Sequence, residues 1–420
     1  MTTLYVGGRV FDGEKVLDGH AVLEDGGKVG RIAPAAEFVG FAGEKVDTAG
    51  GMLIPGIIDC HVHSLSGAEG NPGAVQDRMS HAAIAVRGME FMRNTLEGGI
   101  TAVRDCGGKE YIEFAIRDAY NSGRFLGPTM RCAGRMICMT GGHGNRTGRV
   151  ADGVDEVVKA VREQVHAGSD LIKIMATGGV MTPGVNPEDA HYTAEEMKAG
   201  ITEAHRFHKC CASHAQGALG ILNAVRGGID SIEHGIFMTE ECVTEMKERG
   251  VWLVPTLAAV KNILKGYDDG DRSIPDYVID KARRVFDRHI ASIKMYYKAG
   301  GRIAMGTDAD LGESHCGRAG VEPSFAWRNP RDGDGNSSPA SSCLVLLEMT
   351  QRQQPVHKEL PCCCLVLVVV IQGCIVNAVQ HLLTSWTSQH PCPIVIDDGL
   401  FTLGPSNSIP VLLGININLP

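Results

Sequence analysis

The sequence predicts an α/β protein: a (β/α)8 TIM barrel with a small β-sandwich domain built mainly from the N-terminus. Two observations carry this. From about residue 53 to 310, short apolar runs alternate with helix-like stretches of about 10 to 20 residues, the pattern of βα units around a parallel sheet. Residues 1–55 instead read as short alternating strands broken by Gly and Asp turns (LYVGGRVF, then HAVLED, GGKVGRIA and EKVDTAGGMLIPG). The expected domains are therefore residues 1–55, a barrel over 56–310, and an atypical tail over 311–420.

Taken in order, the apolar runs are LIPGIIDCHVH (53–63), TAVRDCG (101–107), TMRCAGR (129–135), DLIKIMATGG (170–179), CCASHA (210–215), SIEHG (231–235), WLVPTL (252–257) and RIAMGTDA (302–309). They number eight, and eight strand–helix repeats in this length match the barrel in count and size. The segment 154–167, VDEVVKAVREQVHA, shows the helical periodicity between them. Its apolar positions Val154, Val157, Val158, Val161 and Val165 form one stripe, and Gly168 follows as a stop signal.

The composition narrows the function. The chain has 420 residues with 40 Lys+Arg against 49 Asp+Glu, a formal charge of −9, which is wrong for bulk phosphate neutralisation and argues against a nucleic-acid partner. With 44% hydrophobic residues, 21% charged residues and 53 Gly, it reads as a globular enzyme with many turns rather than a disordered chain. The start, MTTLYVGGRVFD, lacks a basic segment followed by an apolar run, so no signal peptide is expected. The fourteen Cys show no zinc-type CxxC pairs and read as reduced thiols, which predicts a cytoplasmic protein. A homo-oligomer is compatible with all of this.

In such barrels, chemistry sits at the C-terminal ends of the strands. Strand one ends in His61 and His63, strand four carries Lys173, strand five His214, strand six His234 and strand eight Asp308. Two residues apart on an extended strand, His61 and His63 point to the same side, as two ligands of one metal require. A lone HxH could equally be two buried or surface histidines. Its company at four other strand ends points to a metal site. Lys173 is flanked by Leu171, Ile172, Ile174 and Met175, so its ammonium is costly to desolvate. Two outcomes stay open: a salt bridge to a nearby carboxylate, or a neutral amine that adds CO2 to give a carbamate able to bridge two cations.

Together, PGIIDCHVH, DLIKIMATGG, His214, IEHG and GTDA resemble the metal-dependent amidohydrolase superfamily. Within it, they resemble the imidazolonepropionase-like branch that includes binuclear-zinc Xaa-Pro dipeptidases, Arg/Lys carboxypeptidases and ochratoxin amidase. The likeness covers residues 1 to about 310. It implies two divalent metals, zinc in the first instance, with His61 and His63 on the more buried one, a carboxylated Lys173 bridging, and His214 and His234 on the second. Asp308 would bind metal and take the proton, and His234 would help hold the oxyanion. The implied activity is a metallopeptidase-like hydrolysis of a small dipeptide or N-acyl amino acid by a bridging hydroxide. The alternatives are a mononuclear, imidazolonepropionase-like or deaminase-type enzyme opening a cyclic amide or removing an amine, and an inactive product of an altered C-terminus.

Three residues are expected at the substrate: His143, closing the Gly-rich turn that begins at Met139, Arg146 for a substrate carboxylate, and Tyr192 in a loop before a helix. His205 and His208 are expected on a solvated helix, and Cys60 and Cys106 as small buried fillers. Gln216 stands where several relatives carry a second His. The tail departs from the rest: residues 311–420 hold seven of the fourteen Cys but five Lys+Arg, and no charged side chain lies between Glu359 and Asp397. The apolar stretch from Leu360 to Val379 is about long enough for a bilayer but is interrupted by Pro361, Gln372 and Asn377. A reading-frame change near 311–320 is the preferred expectation, with membrane attachment disfavoured.

Overall fold

The structure is a computed structural model and describes residues 2–67, 72–308, 394–397 and 400–403. The N-terminal strands are β1 (Thr2–Val6), β2 (Arg9–Phe11), β3 (Val16–Leu17), β4 (His20–Asp25), β5 (Lys28–Pro34), β6 (Glu44–Asp47) and β7 (Met52–Leu53). They form two sheets, ordered β5-β4-β1-β6 and β3-β2-β7. Val10, Val22 and Leu53 are buried together, with Tyr5 and Leu17 against them, so the alternating pattern puts apolar side chains from both sheets into one small core.

The chain then alternates strand and helix: β8 (Ile57–Val62), α1 (Pro72–Gln76), α2 (His81–Glu97), β9 (Ile100–Asp105), α3 (Ile112–Asn121) and β10 (Thr129–Cys132). Two short strands, β11 (Ile137–Cys138) and β12 (Arg149–Val150), precede α4 (Gly153–Ala167), β13 (Ile172–Met175), α5 (Ala194–Arg206), β14 (Cys211–Ala215) and α6 (Ala218–Gly227). The series continues through β15 (Ser231–His234), α7 (Glu240–Glu248), β16 (Trp252–Val254), α8 (Leu257–Asp268), α9 (Asp276–Lys298) and β17 (Arg302–Ile303). These strands pair in parallel in two sheets, β10-β9-β8 and β12-β11-β13-β14-β15-β16-β17, the mixed α/β arrangement of a TIM-barrel-like fold.

Backbone bonds also run between the two sheets. Cys60 N–H donates to Met305 O (2.9 Å), Asp308 N–H to His61 O (2.8 Å) and Asp170 N–H to Cys132 O (2.8 Å). The first two bonds hold the segment after β17 alongside β8, which is how Asp308 reaches His61 from the far end of the chain.

Local chemistry explains the element ends. Val157 and Val161 of α4 are buried, and the helix stops at Gly168, whose φ of +98° is a left-handed cap that a residue with a Cβ rarely adopts. Thr193 and Glu196 form a reciprocal capping box at the start of α5. The large core lies between the long sheet and α4 to α7, around Ile172, Ile174, Met197, Ile201 and Ile232.

In the tail, β18 (Ile394–Asp397) and β19 (Leu400–Leu403) pair antiparallel with each other. The expected frame change near 311–320 and the apolar stretch after Leu360 lie outside the described residues. Among the described residues, no helix is long and apolar enough to cross a membrane.

Gly200 on α5 marks a close approach to the strand that carries Lys173. A Cβ there would lie 2.7 Å from Val157 Cγ1 and 3.1 Å from Ile174 Cδ1. Gly200→Ala should therefore lower the urea midpoint, because overpacking costs about 1–3 kcal/mol against a helix-propensity gain of about 1 kcal/mol.

Candidate metal centre

Six side chains meet at the C-terminal ends of the parallel strands. His61 comes from β8 and His63 from just past its end, Lys173 from β13, His214 from β14, His234 from the end of β15, and Asp308 from beyond β17. Asp308 Oδ1 lies 3.4 Å from Nε2 of both His61 and His63, and its Oδ2 lies 3.9 Å from His234 Nδ1. Lys173 Nζ lies 3.4 Å from His61 Nε2. Ring centroids are 5.4 Å apart for His61 and His63, 5.2 Å for His61 and His234, and 4.5 Å for His214 and His234.

Each imidazole is tethered through one nitrogen. His63 Nδ1–H donates to Gly107 O (2.8 Å), His61 Nδ1–H to Glu233 Oε2 (2.8 Å) and His214 Nε2–H to Gly178 O (2.8 Å). His234 Nδ1 bonds Thr256 Oγ1 (2.6 Å). A carbonyl or carboxylate can only accept, so at His61, His63 and His214 the tethered nitrogen carries the proton, and at His61 and His214, whose rings stay neutral, the other nitrogen is bare. Neutral imidazoles with one nitrogen tied off are what a divalent metal takes as ligands. The candidate ligand atoms of His61, His63 and Asp308 lie within 4.8 Å of one another. The residues present fit a metal.

The electrostatics favour the neutral ring at His61, His214 and His234 and the protonated one, facing Asp308, at His63. Burial holds the His61 and His214 imidazoles well below their ordinary value, helped at His61 by Lys173 and at His214 by His143 and His234. Burial likewise brings His234 down to about 3, with Lys173 adding to it and Asp308 opposing. At His63 burial works in the same direction, but the Asp308 carboxylate outweighs it and lifts the ring to about 9. Burial also opposes ionisation of Asp308, yet His61, His63 and His234 around it keep the group far below the usual carboxylate range.

Lys173 is 1% exposed. Among the described residues it has no carboxylate within ion-pair distance, so of the two outcomes left open by the sequence, the salt bridge is not formed.

Beneath the site runs a polar layer that sequence reasoning missed. Glu233, which holds His61, takes Arg104 Nη2 (2.7 Å) and Ser231 Oγ (2.6 Å) on its other oxygen. Asp105 accepts from Ser64 N (2.9 Å) and Gly107 N (2.8 Å), ordering the carbonyl that His63 uses. Asp59 accepts from His61 N (3.0 Å) and Thr307 Oγ1 (2.6 Å), fixing the residue before Asp308, and burial raises it to about 6. The available signal was a charged residue inside each of the apolar strands IIDCHV, TAVRD and SIEH.

The three expected substrate residues fare differently. His143 stands beside the site, its ring 4.3 Å from His214, with Nδ1 bonded to Thr182 Oγ1 (2.7 Å), and burial brings it down to about 3. Arg146 is 51% exposed, and its guanidinium bonds Asp77 (Nε to Oδ2 2.8 Å), which also takes Lys109 Nζ (2.7 Å). Tyr192 corrects the sequence expectation. It is 2% exposed, packed in the core cluster that includes Ile172 and Ile174, and its hydroxyl donates to Ala151 O (2.7 Å), so ring and hydroxyl are both spent on the interior.

Cys60 and Cys106 are buried fillers as expected, and burial pushes the Cys106 thiol up to about 12. His205 pairs with Asp230 (2.9 Å) near Cys211 at the opposite, N-terminal end of the strands. That grouping is structural: Asp230 caps Cys211 N–H (2.7 Å) as Asp170 caps Cys132 N–H (2.9 Å) two strand–helix units earlier. Gln216 keeps a buried amide oxygen with no partner among the described residues.

Metal-fit imidazoles and a carboxylate, gathered at the strand ends of a TIM-barrel-like sheet, define an α/β protein of the metal-site class. Residues 52–350 match the Amidohydrolase family, and the chain belongs to that family. It is 31% identical over 305 residues to the ochratoxinase of Aspergillus niger, an alignment covering 66% of this chain and 61% of the relative. The chain thus spans less than two thirds of that relative's length. Among solved structures it is similar to a Xaa-Pro dipeptidase with bound methionine in the active site, at TM-score 0.74 and 27% identity, covering 84% of this chain and 89% of the other. It is also similar to a prolidase complexed with N-methylphosphonate-L-proline, at TM-score 0.66 and 30% identity, covering 75% and 80%.

Near the site, Glu113 in the first turn of α3 is fully buried, and neither carboxyl oxygen has a partner among the described residues. Burial, with Asp105 adding to it, raises this group from 4.5 to about 8. Unfolding therefore releases a proton between those values, and the Glu113 contribution to stability falls as pH rises through them. Glu113→Gln should match wild type in thermal melts at pH 4 and melt at a higher temperature than wild type at pH 8, the gap opening across that window.

Proposed function

We propose that the protein is a metal-dependent hydrolase that cleaves the amide bond of a small dipeptide or N-acyl amino acid. The observation that carries this reading is Lys173, an ammonium buried among imidazoles with His61 rather than a carboxylate beside it. Carboxylation by CO2 would turn that cost into an anionic bridge.

Two divalent cations, with zinc the match for this imidazole and carboxylate set, would supply Lewis acidity and lower the pKa of water at the site. His61 and His63 would hold one, His214 and His234 the other, with carboxylated Lys173 between them and Asp308 as a further ligand. Asp308, kept ionised by the surrounding imidazoles, accepts the proton of the attacking water at a carboxylate oxygen and passes it to the leaving amine. His234 would act on the developing oxyanion through the cation it would hold, and His143 hydrogen-bonds the substrate from the neighbouring loop. Arg146 and Lys109 share one Asp77, which leaves one positive charge for a substrate carboxylate.

The same reading takes residues 1–55 as a small β-sandwich and 56–310 as a closed (β/α)8 barrel, which the bonds from Cys60 to Met305 and from Asp170 to Cys132 support. The seven described cysteines are thiols, six of them buried, which suits a reducing, cytoplasmic setting.

Wild-type protein loaded with zinc and bicarbonate should hold two zinc per chain and hydrolyse members of a dipeptide and N-acyl amino-acid panel. Two zinc with no turnover on any member would overturn the proposal. Lys173→Gln should lose bound zinc and slow turnover at least about 100-fold, consistent with removal of a metal-bridging group. Arg146→Gln should raise KM for substrates with a free carboxylate by about tenfold while leaving their carboxamide analogues unchanged, the loss of roughly one charge-assisted hydrogen bond.

A further inference from the structure

The segment 178–186 follows β13 and belongs to no helix or strand, yet it holds two rings of the candidate centre. Gly178 O is the acceptor that fixes His214, and Thr182 Oγ1 is the partner of His143. Its backbone also lies directly against the His143 ring, where a Cβ on Gly179 would come within 2.6 Å.

One face of α9 fastens this segment. Tyr277, Lys281 and Arg284 lie four residues before, at, and three residues after the same point of the helix, so they project side by side. Tyr277 Oη–H donates to Met181 O (3.1 Å) and Arg284 Nη2 to Asn186 Oδ1 (2.5 Å). Lys281 Nζ lies between them and donates to three carbonyls, Gly179 O (3.3 Å), Thr182 O (2.8 Å) and Val185 O (2.7 Å). An ammonium has three donors, and all three are spent here on one loop. Charge-assisted bonds of this kind are stronger than neutral ones, and no carboxylate competes for this ammonium among the described residues.

We infer that Lys281 is a positioning residue: it fixes the 178–185 backbone and, through Gly178 and Thr182, the orientation of His214 and His143. The inference rests on the metal-centre reading above. A merely structural tether would lower stability without touching the metal. A positioning residue changes how tightly the metal is kept while the rest of the fold stands.

The test compares full-length, zinc-loaded wild type with Lys281→Met and Lys281→Arg. Lys281→Met should raise amide hydrogen exchange in residues 178–190 alone and release zinc to a chelator about tenfold faster, the low end for loss of a group that supports a ligand. Its melting temperature should fall by no more than about 4 °C, and Lys281→Arg, which keeps the donors, should recover most of the zinc retention. Zinc release at the wild-type rate, or exchange rising throughout the strands, would overturn the inference. Both readouts need no substrate, so a wild type that keeps zinc but cleaves no amide sinks the proposed activity and not this assignment. A wild type that keeps no zinc sinks both.

Discussion

The structure is organised around the difficulty of keeping four imidazoles, one ammonium and one carboxylate together, with His61, Lys173, His214 and His234 buried and His63 and Asp308 partly so. Burying an unpaired charge is costly, so each group must be neutral, paired or ready to bind a cation. Asp308 resolves part of this by facing His61 and His63 together. Tethers resolve the rest, since Gly107 O, Gly178 O, Glu233 and Thr256 each engage one ring nitrogen. Lys173 is the group this arrangement leaves least compensated.

Those tethers are themselves held. Asp105 orders Gly107, Arg104 and Ser231 hold Glu233, and Asp59 anchors Thr307 beside Asp308. Two site residues sit in left-handed backbone conformation, His234 at φ +74° and Asp308 at φ +50°, which L-residues with side chains adopt at a cost. The His234 carbonyl is caught by His289 of α9 (3.0 Å), and Asp308 N–H by His61 O. The helix that fastens the 178–186 segment thus also braces His234. The strain persists because neighbouring elements over-determine it.

Much of the site was legible in the sequence because a strand offers few directions. His61 and His63 share a face by the two-residue period, and the apolar runs around Lys173, His214 and His234 marked them as strand residues whose polar ends needed a reason. Tyr192 was misread because its position between a Gly-rich loop and a helix resembles that of a site residue, and nothing local encodes that its hydroxyl finds Ala151 O. Glu233, Arg104 and Asp105 were visible as charges in apolar strands, but their role is a partnership across strands more than a hundred residues apart in one case. Glu113 gave no warning, being one acidic residue in the first turn of a helix, where acids are ordinary.

The sequence by itself determined the repeating strand and helix order, the helix stop at Gly168, and which polar residues stand at strand ends, since these follow from periodicity and backbone preference. Only the tertiary structure decided which ring nitrogen His61 and His214 keep bare, that Lys173 lies beside His61 and not a carboxylate, that Tyr192 belongs to the core, and that α9 reaches back to hold the loop beside His143. The physical reason is the range of the forces. Local dihedral and hydrophobic preferences are written within a few residues, whereas a tautomer, a buried charge or a clamp is set by atoms that folding alone brings within hydrogen-bond distance.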